Sequence, residues 1–531
     1  MADARVAQAG VELFLQPAAA ARVAQAGVEL FLRLPSTDGL AIEVDLNGVW
    51  TDVTLDMLAQ ADVKYGIDGN GPADLIASTG VFQFQLDNSI RNSAGLIGYY
   101  SPQHANARSG WTYGIGCRLT LGTYIKHRGK IRIIDPEPGS HLSRRVNVIS
   151  HDNIRDLSEA DGRRVDIQIA QSEVDLIQAV LAALPTTSRP YATSYATSVD
   201  EYPYAFDNIG EGAKALSLIR DVAQSARGYV YVTGPGIFTY QSRAARAILT
   251  SSYTLSDTMA GLELPSSLDG AYNRVRCTIH PKDIDATSTH VLWAATNPQS
   301  VAPDSTTEIW VTYRDPDDPS IRIGATAQLA MVAYTDYVAN EDPGGAGVDR
   351  TASVSVSATY YATTAKLTIV SSTSVETYLT TLQVRGARIR DLEPITKEHY
   401  VAATYGDRPF DLDMPYQDDD DVAYNAAIEI YETYSDPTST AQAIEFYAET
   451  GDLMTQALAR EPGDMITISE TVTGASAIRA IIQSVALDIR PGPQIVCRWG
   501  LAPVSFLAGT WVLGETEDDK SDLGEGTILG F

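Results

Sequence analysis

The dodecapeptide ARVAQAGVELFL occurs twice within the first 32 residues, at 4–15 and again at 21–32, joined by Gln16-Pro17-Ala18-Ala19-Ala20. Folding alone does not demand letter-for-letter identity, because a strand or helix tolerates many apolar substitutions of similar volume. Identity points instead to two copies that meet the same kind of docking groove. Read at period two, Ala7, Ala9, Val11, Leu13 and Leu15 share one face of a strand. Read at helical spacing, Val6, Ala9, Gly10 and Leu13 align. Strand is favoured, since Gly10 weakens a helix by about 1 kcal/mol and Pro17 stops either element. The candidate docking residues are therefore Arg5, Val11, Leu13 and Leu15, with their counterparts Arg22, Val28, Leu30 and Leu32. The competing account is a recent duplication or a disordered alanine-rich leader.

At 531 residues the chain has room for several cores, and three or four domains is the expectation from length. Sixty-seven acidic residues against thirty-nine basic ones give a net charge of −28. Such a surface repels phosphates and offers no basic footprint for nucleic acid. Cys117, Cys277 and Cys497 lie far apart, without metal-ligand spacing and in odd number, so buried reduced thiols are expected. No apolar run approaches the roughly 20 residues of a membrane helix, so stable membrane insertion is not expected. Glu12 interrupts the only candidate signal core, VELFL, and synthesis in a host cytoplasm is the expectation.

From Ile42 to Leu157 short alternating runs are separated by Gly, Asn and Pro. VFQFQLDN, with Val81, Phe82 or Phe84, and Leu86, reads as a strand, and CRLTLGTYI and KIRIID behave similarly. At Ser172 the pattern changes. QSEVDLIQAVLAALP places Val174, Ile177, Leu181 and Leu184 on one helical stripe, with Ser172 as N-cap and Pro185 as stop. GAKALSLIRDVAQSARG forms a second helix whose left-handed C-terminal residue is expected to be Gly228. YVYVTGPGIFTYQSR then reads as a hairpin turning at Gly234-Pro235-Gly236. Beyond Tyr272, RVRCTIH, EIWVTYR, SVSVSATYY, KLTIVSS and LQVRGARI return to strand alternation. DVAYNAAIEIYETYSDP is the one good helix of the C-terminal half. Asp418, Asp419, Asp420 and Asp421 precede it, where capping and the helix dipole favour acids over the rival reading as a calcium site. The expected organisation is a duplicated arm at 1–40, a first β-barrel at 41–165 and an α+β insert at 166–271. A β-rich domain at 272–400, a barrel-completing α+β domain at 401–503 and a docking tail at 504–531 follow. The fold class is mainly β with an α+β insert, built from antiparallel barrels or sandwiches.

The chemistry of a catalytic site is not legible. The histidines form no HExxH pair, and neither a phosphate-binding loop nor a GxSxG elbow occurs. RDPDDPS, with Asp315, Asp317 and Asp318, reads as an ordinary proline-bounded loop. Any two carboxylates can converge in space for glycoside hydrolysis, but nothing nominates a pair. No enzymatic activity, cofactor or metal is expected.

Several segments in order resemble the minor tail or baseplate-hub proteins of long-tailed bacteriophages: WTDVTLDML from Trp50, FQFQLDNSIRNSAGLIGYYSPQH, WTYGIGCRLTL, VNVISHDNIRDL, ALSLIRDVAQSARGYVYVTGPGIFTYQSRAAR, YLTTLQVRGARI, YGDRPFDLDMPY, REPGDMITISETVTG and RWGLAPVSF. The paired ARV segments and the terminal WVLGETEDDKSDLGEGTILGF also look like features of tail-tip proteins. The resemblance implies a homotrimeric hub with two related barrels, joining a six-fold tail tube or distal tail ring to a three-fold tip. It implies a channel passing tape-measure protein and DNA without specific binding, contacts with fibre or tip proteins, and residence in the virion tail tip. The alternatives are a distal-tail ring or fibre-attachment protein, and a glycan-binding or carbohydrate-active protein. Past Pro503, Trp511, Leu513, Leu529 and Phe531 are apolar anchors among Gly and acidic residues, too few to form a core, and are read as docking residues.

Overall fold

The computed structural model describes residues 5–8, 11–14 and 39–504, apart from 140–143, 208, 210–211, 316–317, 319, 437–440, 450 and 491–493. Among the described residues strand accounts for 46% and helix for 15%, so the fold is mainly β, in multiple antiparallel sheets. The alternation read from the sequence is what buries one face of each strand. In Ser78–Asp87, Phe82, Phe84 and Leu86 all point into the core, and the two phenylalanine rings stack at 4.8 Å.

One 13-stranded sheet organises the molecule. From a free edge at Gly261–Glu263 it passes through Ala443–Tyr447, Gln494–Pro503 and Ala475–Arg490, then crosses to Met57–Gly66. It continues through Ser78–Asp87, Arg145–His151, Tyr124–Pro136, Gly116–Leu121 and Leu40–Leu46 to a second free edge at Val49–Asp52. Ser251–Ser256 and Met465–Glu470 extend it beside Ala475–Arg490. The sheet thus has an N-terminal lobe and a second lobe assembled from strands near 251–263 and 443–503. The lobes meet where Met57–Gly66 pairs antiparallel with Ala475–Arg490, from Ala61 opposite Ile489 to Gly66 opposite Ser484. Gly66 is obligatory at this seam: its φ is +111°, and a Cβ there would sit 2.3 Å from the Gln483 carbonyl oxygen. Phe82, Trp111 and Leu119 from one lobe and Leu487, Phe446 and Trp499 from the other belong to one continuous core. Each such burial contributes roughly 1.5–3 kcal/mol.

The α+β unit packs on a second core. Ser172 caps the helix Glu173–Ala183 by accepting from the Asp175 amide, as expected. The buried stripe is Leu176, Ile177, Val180 and Leu181, while Val174 is only half-buried. The second helix, Ala215–Ala226, ends differently from expectation: Arg227, not Gly228, takes the left-handed conformation, with φ of 51°. The Gly228 amide donates to the Ala223 carbonyl and the Arg227 amide to Gln224, a Schellman closure. Gly228 is required for a different reason, because a Cβ would lie 2.3 Å from the Tyr240 ring. Tyr229–Val232 and Ile237–Gln241 form the expected hairpin, and Ala192–Tyr195 adds in parallel to Ile237–Gln241.

Farther along, the long strand Thr377–Asp391 pairs with five short strands, and Thr306–Thr312, Thr364–Ser371 and Val354–Tyr360 form a second sheet. Leu292, Tyr313, Leu367 and Leu382 fill the space shared by both. A last small sheet sets Arg274–Ile279 between Ile395–Tyr400 and Pro409–Met414, with the helix Asp420–Tyr434 packed over it. That helix is joined in the C-terminal half by a second, Gly451–Ala459, which the sequence reading missed because only Leu453 and Ala457 are buried along it. The three thiols are free and buried.

Candidate assembly surfaces

The duplicated arm is described only in part. In the first copy, Arg5–Gln8 pairs antiparallel with Val11–Phe14, placing Gln8 opposite Val11, Val6 opposite Leu13 and Arg5 opposite Phe14. This corrects the expectation of a single strand face running through the copy: its two described segments, Arg5–Gln8 and Val11–Phe14, pair with each other. Leu15, Arg22, Val28, Leu30, Leu32, Trp511, Leu513, Leu529 and Phe531 lie outside the described residues.

Among the described residues three end strands of the large sheet have a strand partner on one side only: Val49–Asp52, Gly261–Glu263 and Ser251–Ser256. Val49–Asp52 pairs only with Leu40–Leu46, and Val49 is 63% exposed. Beside it the Arg118 guanidinium stacks 4.5 Å above the Trp50 ring and grips Glu43 at 2.6 and 2.9 Å. At the opposite end Gly261–Glu263 pairs only with Ala443–Tyr447, and Glu263 accepts from Arg498 at 2.6 Å.

Between the lobes lies a shallow groove of about 360 Å³ that includes Asp62, Lys64, Glu445, Asp488, Arg490 and Arg498. Asp62 and Asp488 stand directly opposite in register, a repulsive cross-strand pair. Arg490 on Asp488 at 2.7 Å and the Gln60 amide on Asp62 at 2.9 Å offset it. Lys64 and Arg498 are engaged by Asp68 and Glu263 at 2.7 and 2.6 Å. Each cation of the groove thus has an acid partner, Asp488 within its lining and Asp68 and Glu263 outside it.

The lobes and the α+β unit are tied by a buried cation. Lys126 Nζ donates to Glu461 Oε1 at 2.7 Å and to the carbonyls of Leu458 and Arg460 at 3.2 and 3.1 Å. The Gly234 amide donates to Glu461 Oε2 at 2.9 Å. The turn Gly234-Pro235-Gly236, predicted only as a hairpin turn, is therefore also a joint.

Sequence reasoning also missed a serine–histidine contact. Ser150 Oγ lies 2.8 Å from His127 Nε2, but both residues are buried, and burial with His151 nearby pushes the imidazole down to about 3. A hydroxyl sealed in the core beside a neutral imidazole has no approach for substrate. Of the acidic cluster, Asp419 accepts from the Asp421 and Val422 amides and Asp420 pairs with Lys397, so these residues cap and anchor the helix. Asp315 is engaged by Arg388 at 3.1 Å and Asp318 by the Ser320 amide at 3.0 Å, while Asp317 lies outside the described residues. Among the described residues no helix is long and apolar enough to cross a membrane.

No family model matches the sequence, and no curated protein matches it. Among solved structures the chain is similar to a prophage tail protein from Shewanella oneidensis, at 10% identity over 88% of this chain and 99% of that one, with a TM-score of 0.46. It is also similar to a tail protein from Neisseria meningitidis, at 9% identity over 87% and 96%, with a TM-score of 0.47. A third is an E. coli type VI secretion component described as structurally similar to bacteriophage T4 tail proteins, at 8% identity over 87% and 76%, with a TM-score of 0.37. The structure neighbours are thus tail proteins of prophages and a tail-like secretion component.

Proposed function

We propose that this chain is a structural protein of a bacteriophage tail tip, acting as a baseplate-hub subunit by assembly and not by catalysis. The observation that carries the reading is the 13-stranded sheet with its two lobes, each ending among the described residues in an edge strand of different character, Val49–Asp52 and Gly261–Glu263. Such a subunit is suited to head-to-tail contact, in which the Val49–Asp52 edge of one copy faces the Gly261–Glu263 end of the next, and a closed rotation gives a ring. Burying these edges also removes a route to uncontrolled strand pairing. A homotrimer of two-lobed subunits presents six lobes, which suits a junction between a six-fold tail tube or distal ring and a three-fold tip. Tape-measure protein and DNA would pass through its centre, where an acidic wall repels phosphate. The duplicated arm and the tail past Pro503 would dock onto neighbouring tail proteins, and fibre or tip proteins would attach outside.

The test is direct. Mass spectrometry of purified particles should find this chain, and low-resolution imaging with the chain labelled should place three copies at the tail tip. Six copies in one ring would favour the distal-ring alternative. Absence from the particle, or specific glycan binding by the isolated protein, would reject the reading.

A further inference from the structure

In the β-rich unit the segment 331–336 holds Tyr334 in the left-handed region, with φ of 64°, and leaves it 62% exposed. A bulky aromatic residue rarely adopts this conformation, and nothing in its burial repays the strain. The surrounding loop is nonetheless rigidly built. Asp336, 1% exposed, accepts from the Val332 amide at 2.9 Å, and its own amide donates to the Val332 carbonyl at 2.7 Å. Arg385 of the long strand clamps the same carboxylate with two bonds, at 2.5 and 3.0 Å. Gln383 adds two more, its amide to the Asp336 carbonyl at 2.8 Å and its side chain to the Thr335 carbonyl at 3.0 Å. The Tyr334 amide closes the turn on the Tyr337 carbonyl at 2.9 Å.

The loop therefore presents its apolar side chains to water in a fixed pose. Val332 is 48% exposed, and Val348 on the adjoining loop is 54% exposed. The adjoining loop is closed on itself by the Glu341 amide donating to the Val348 carbonyl at 3.1 Å. Asp349 accepts from the Thr351 amide at 2.9 Å, and the Thr351 amide and hydroxyl, with a smaller contribution from the Tyr334 phenol, hold its carboxyl below the usual range. Across 341–350 the charged residues are Glu341, Asp342 and Asp349 against Arg350 alone, and Arg350 is spent on Glu341. The result is an aromatic knob with two flanking valines and an acidic rim.

We propose that Tyr334, flanked by Val332 and Val348, is a docking knob that enters an apolar pocket with a lysine- or arginine-rich rim on another structural protein of the same particle. Rigid, exposed tyrosines are frequent anchors of protein interfaces, because they bring large area with few rotatable bonds. The acidic rim supplies the charge complementarity that selects the partner and speeds encounter. The assignment rests on the tail-component reading only for where the partner is found.

The experiment compares particles carrying the native chain with particles carrying Tyr334→Gly or Tyr334→Ser, and places a photo-crosslinking residue at position 334 of the full-length chain. Position 113, an exposed tyrosine of the N-terminal lobe, is the control site. Mass spectrometry of native particles first checks that the chain is a particle component, so failure of that reading is seen by itself and removes the proposed partner with it. The proposal expects crosslinking at 334 to one structural protein at a basic surface, and at least tenfold loss of that protein from variant particles that keep this chain at native level. It also expects Tyr334→Gly to melt no lower than native, because glycine relieves the strain. Variant particles with a full complement, or crosslinks confined to this chain, overturn it. Complete variant particles that fail only to adsorb to cells assign the knob to a receptor instead.

Discussion

Lys126 Nζ lies 2.7 Å from Glu461 Oε1 with no exposure of the lysine side chain, across 335 residues of sequence. The ammonium is fully coordinated by that carboxylate and two backbone carbonyls, and the carboxylate's second oxygen holds Gly234. One ion pair thus fixes the N-terminal lobe, the C-terminal lobe and the insert against each other. The Tyr65 ring, 5.5 Å below the ammonium, closes the site, and burial together with Glu461 pushes its phenol up.

Lys126→Met removes the cation and leaves Glu461 facing only the Gly234 amide and water. Breaking a buried pair from one side costs about 3–5 kcal/mol, and the partial exposure of Glu461 puts the expected loss near the lower end. Hydrogen exchange should show faster opening at 229–241 and 458–466 in the variant while the sandwich at 290–384 keeps its protection. Equal loosening everywhere, or none, would contradict the joint.

Asp152 gives a pH dependence with a definite sign. Burial raises its carboxyl to about 7, against hydrogen bonds from the Gly80 region and from Ile154 that pull the other way. The folded state therefore binds a proton that the unfolded chain releases near pH 4, and stability falls as pH rises from about 4 to about 7. Asp152→Asn keeps an oxygen to cap Ile154 and removes the charge. It should flatten the fall between those pH values and melt above the native chain at pH 8. Parallel melting curves for the two proteins from pH 5 to pH 8 would refute the assignment.

The thiols test the depth of two cores, Cys117 and Cys497 in the one shared by the lobes and Cys277 under the helix Asp420–Tyr434. Burial pushes Cys117 and Cys277 up to about 12 and Cys497 higher still, so none offers a thiolate at neutral pH. A thiol reagent at pH 7.5 should label none in the folded chain and three after denaturation. Rapid labelling of Cys277 alone would mean that the helix Asp420–Tyr434 lifts from its sheet.

The sequence made the strands legible because alternation such as Phe82, Phe84 and Leu86 is forced by one-sided burial, and it made the Ser172 and Asp419 caps legible because capping is local. What escaped it is non-local. The seam depends on Ala61 meeting Ile489, and no spacing within either strand encodes that register. Lys126 reads as one more surface lysine until Glu461 arrives, and Tyr334 as an ordinary loop residue until its backbone angle is known. Gly228 was assigned the left-handed position from its residue type, whereas Arg227 bears it and the glycine is required by the Tyr240 ring, which occupies the place of a Cβ.

The duplicated arm yields the sharpest stoichiometric expectation. Three chains with two copies each supply six docking elements, one for every subunit of a six-fold ring, while one copy per chain would leave alternate grooves empty. A two-stranded hairpin such as Arg5–Gln8 with Val11–Phe14 is marginal in water alone and gains from adding to a neighbour's sheet edge. The antiparallel pairing within the first copy also shortens the tether. Seventeen residues from copy to copy reach about 56–61 Å when extended, but residues 15–21 alone reach roughly 23–25 Å. The two grooves must then be close neighbours, and the short tether raises the effective concentration of the second copy once the first has bound. Deleting residues 4–20 should leave the fold and its melting temperature unchanged, lower affinity for the ring by at least tenfold, and halve the number of occupied grooves seen by imaging. Full occupancy with one copy per chain, or six chains per ring, would end the three-into-six argument.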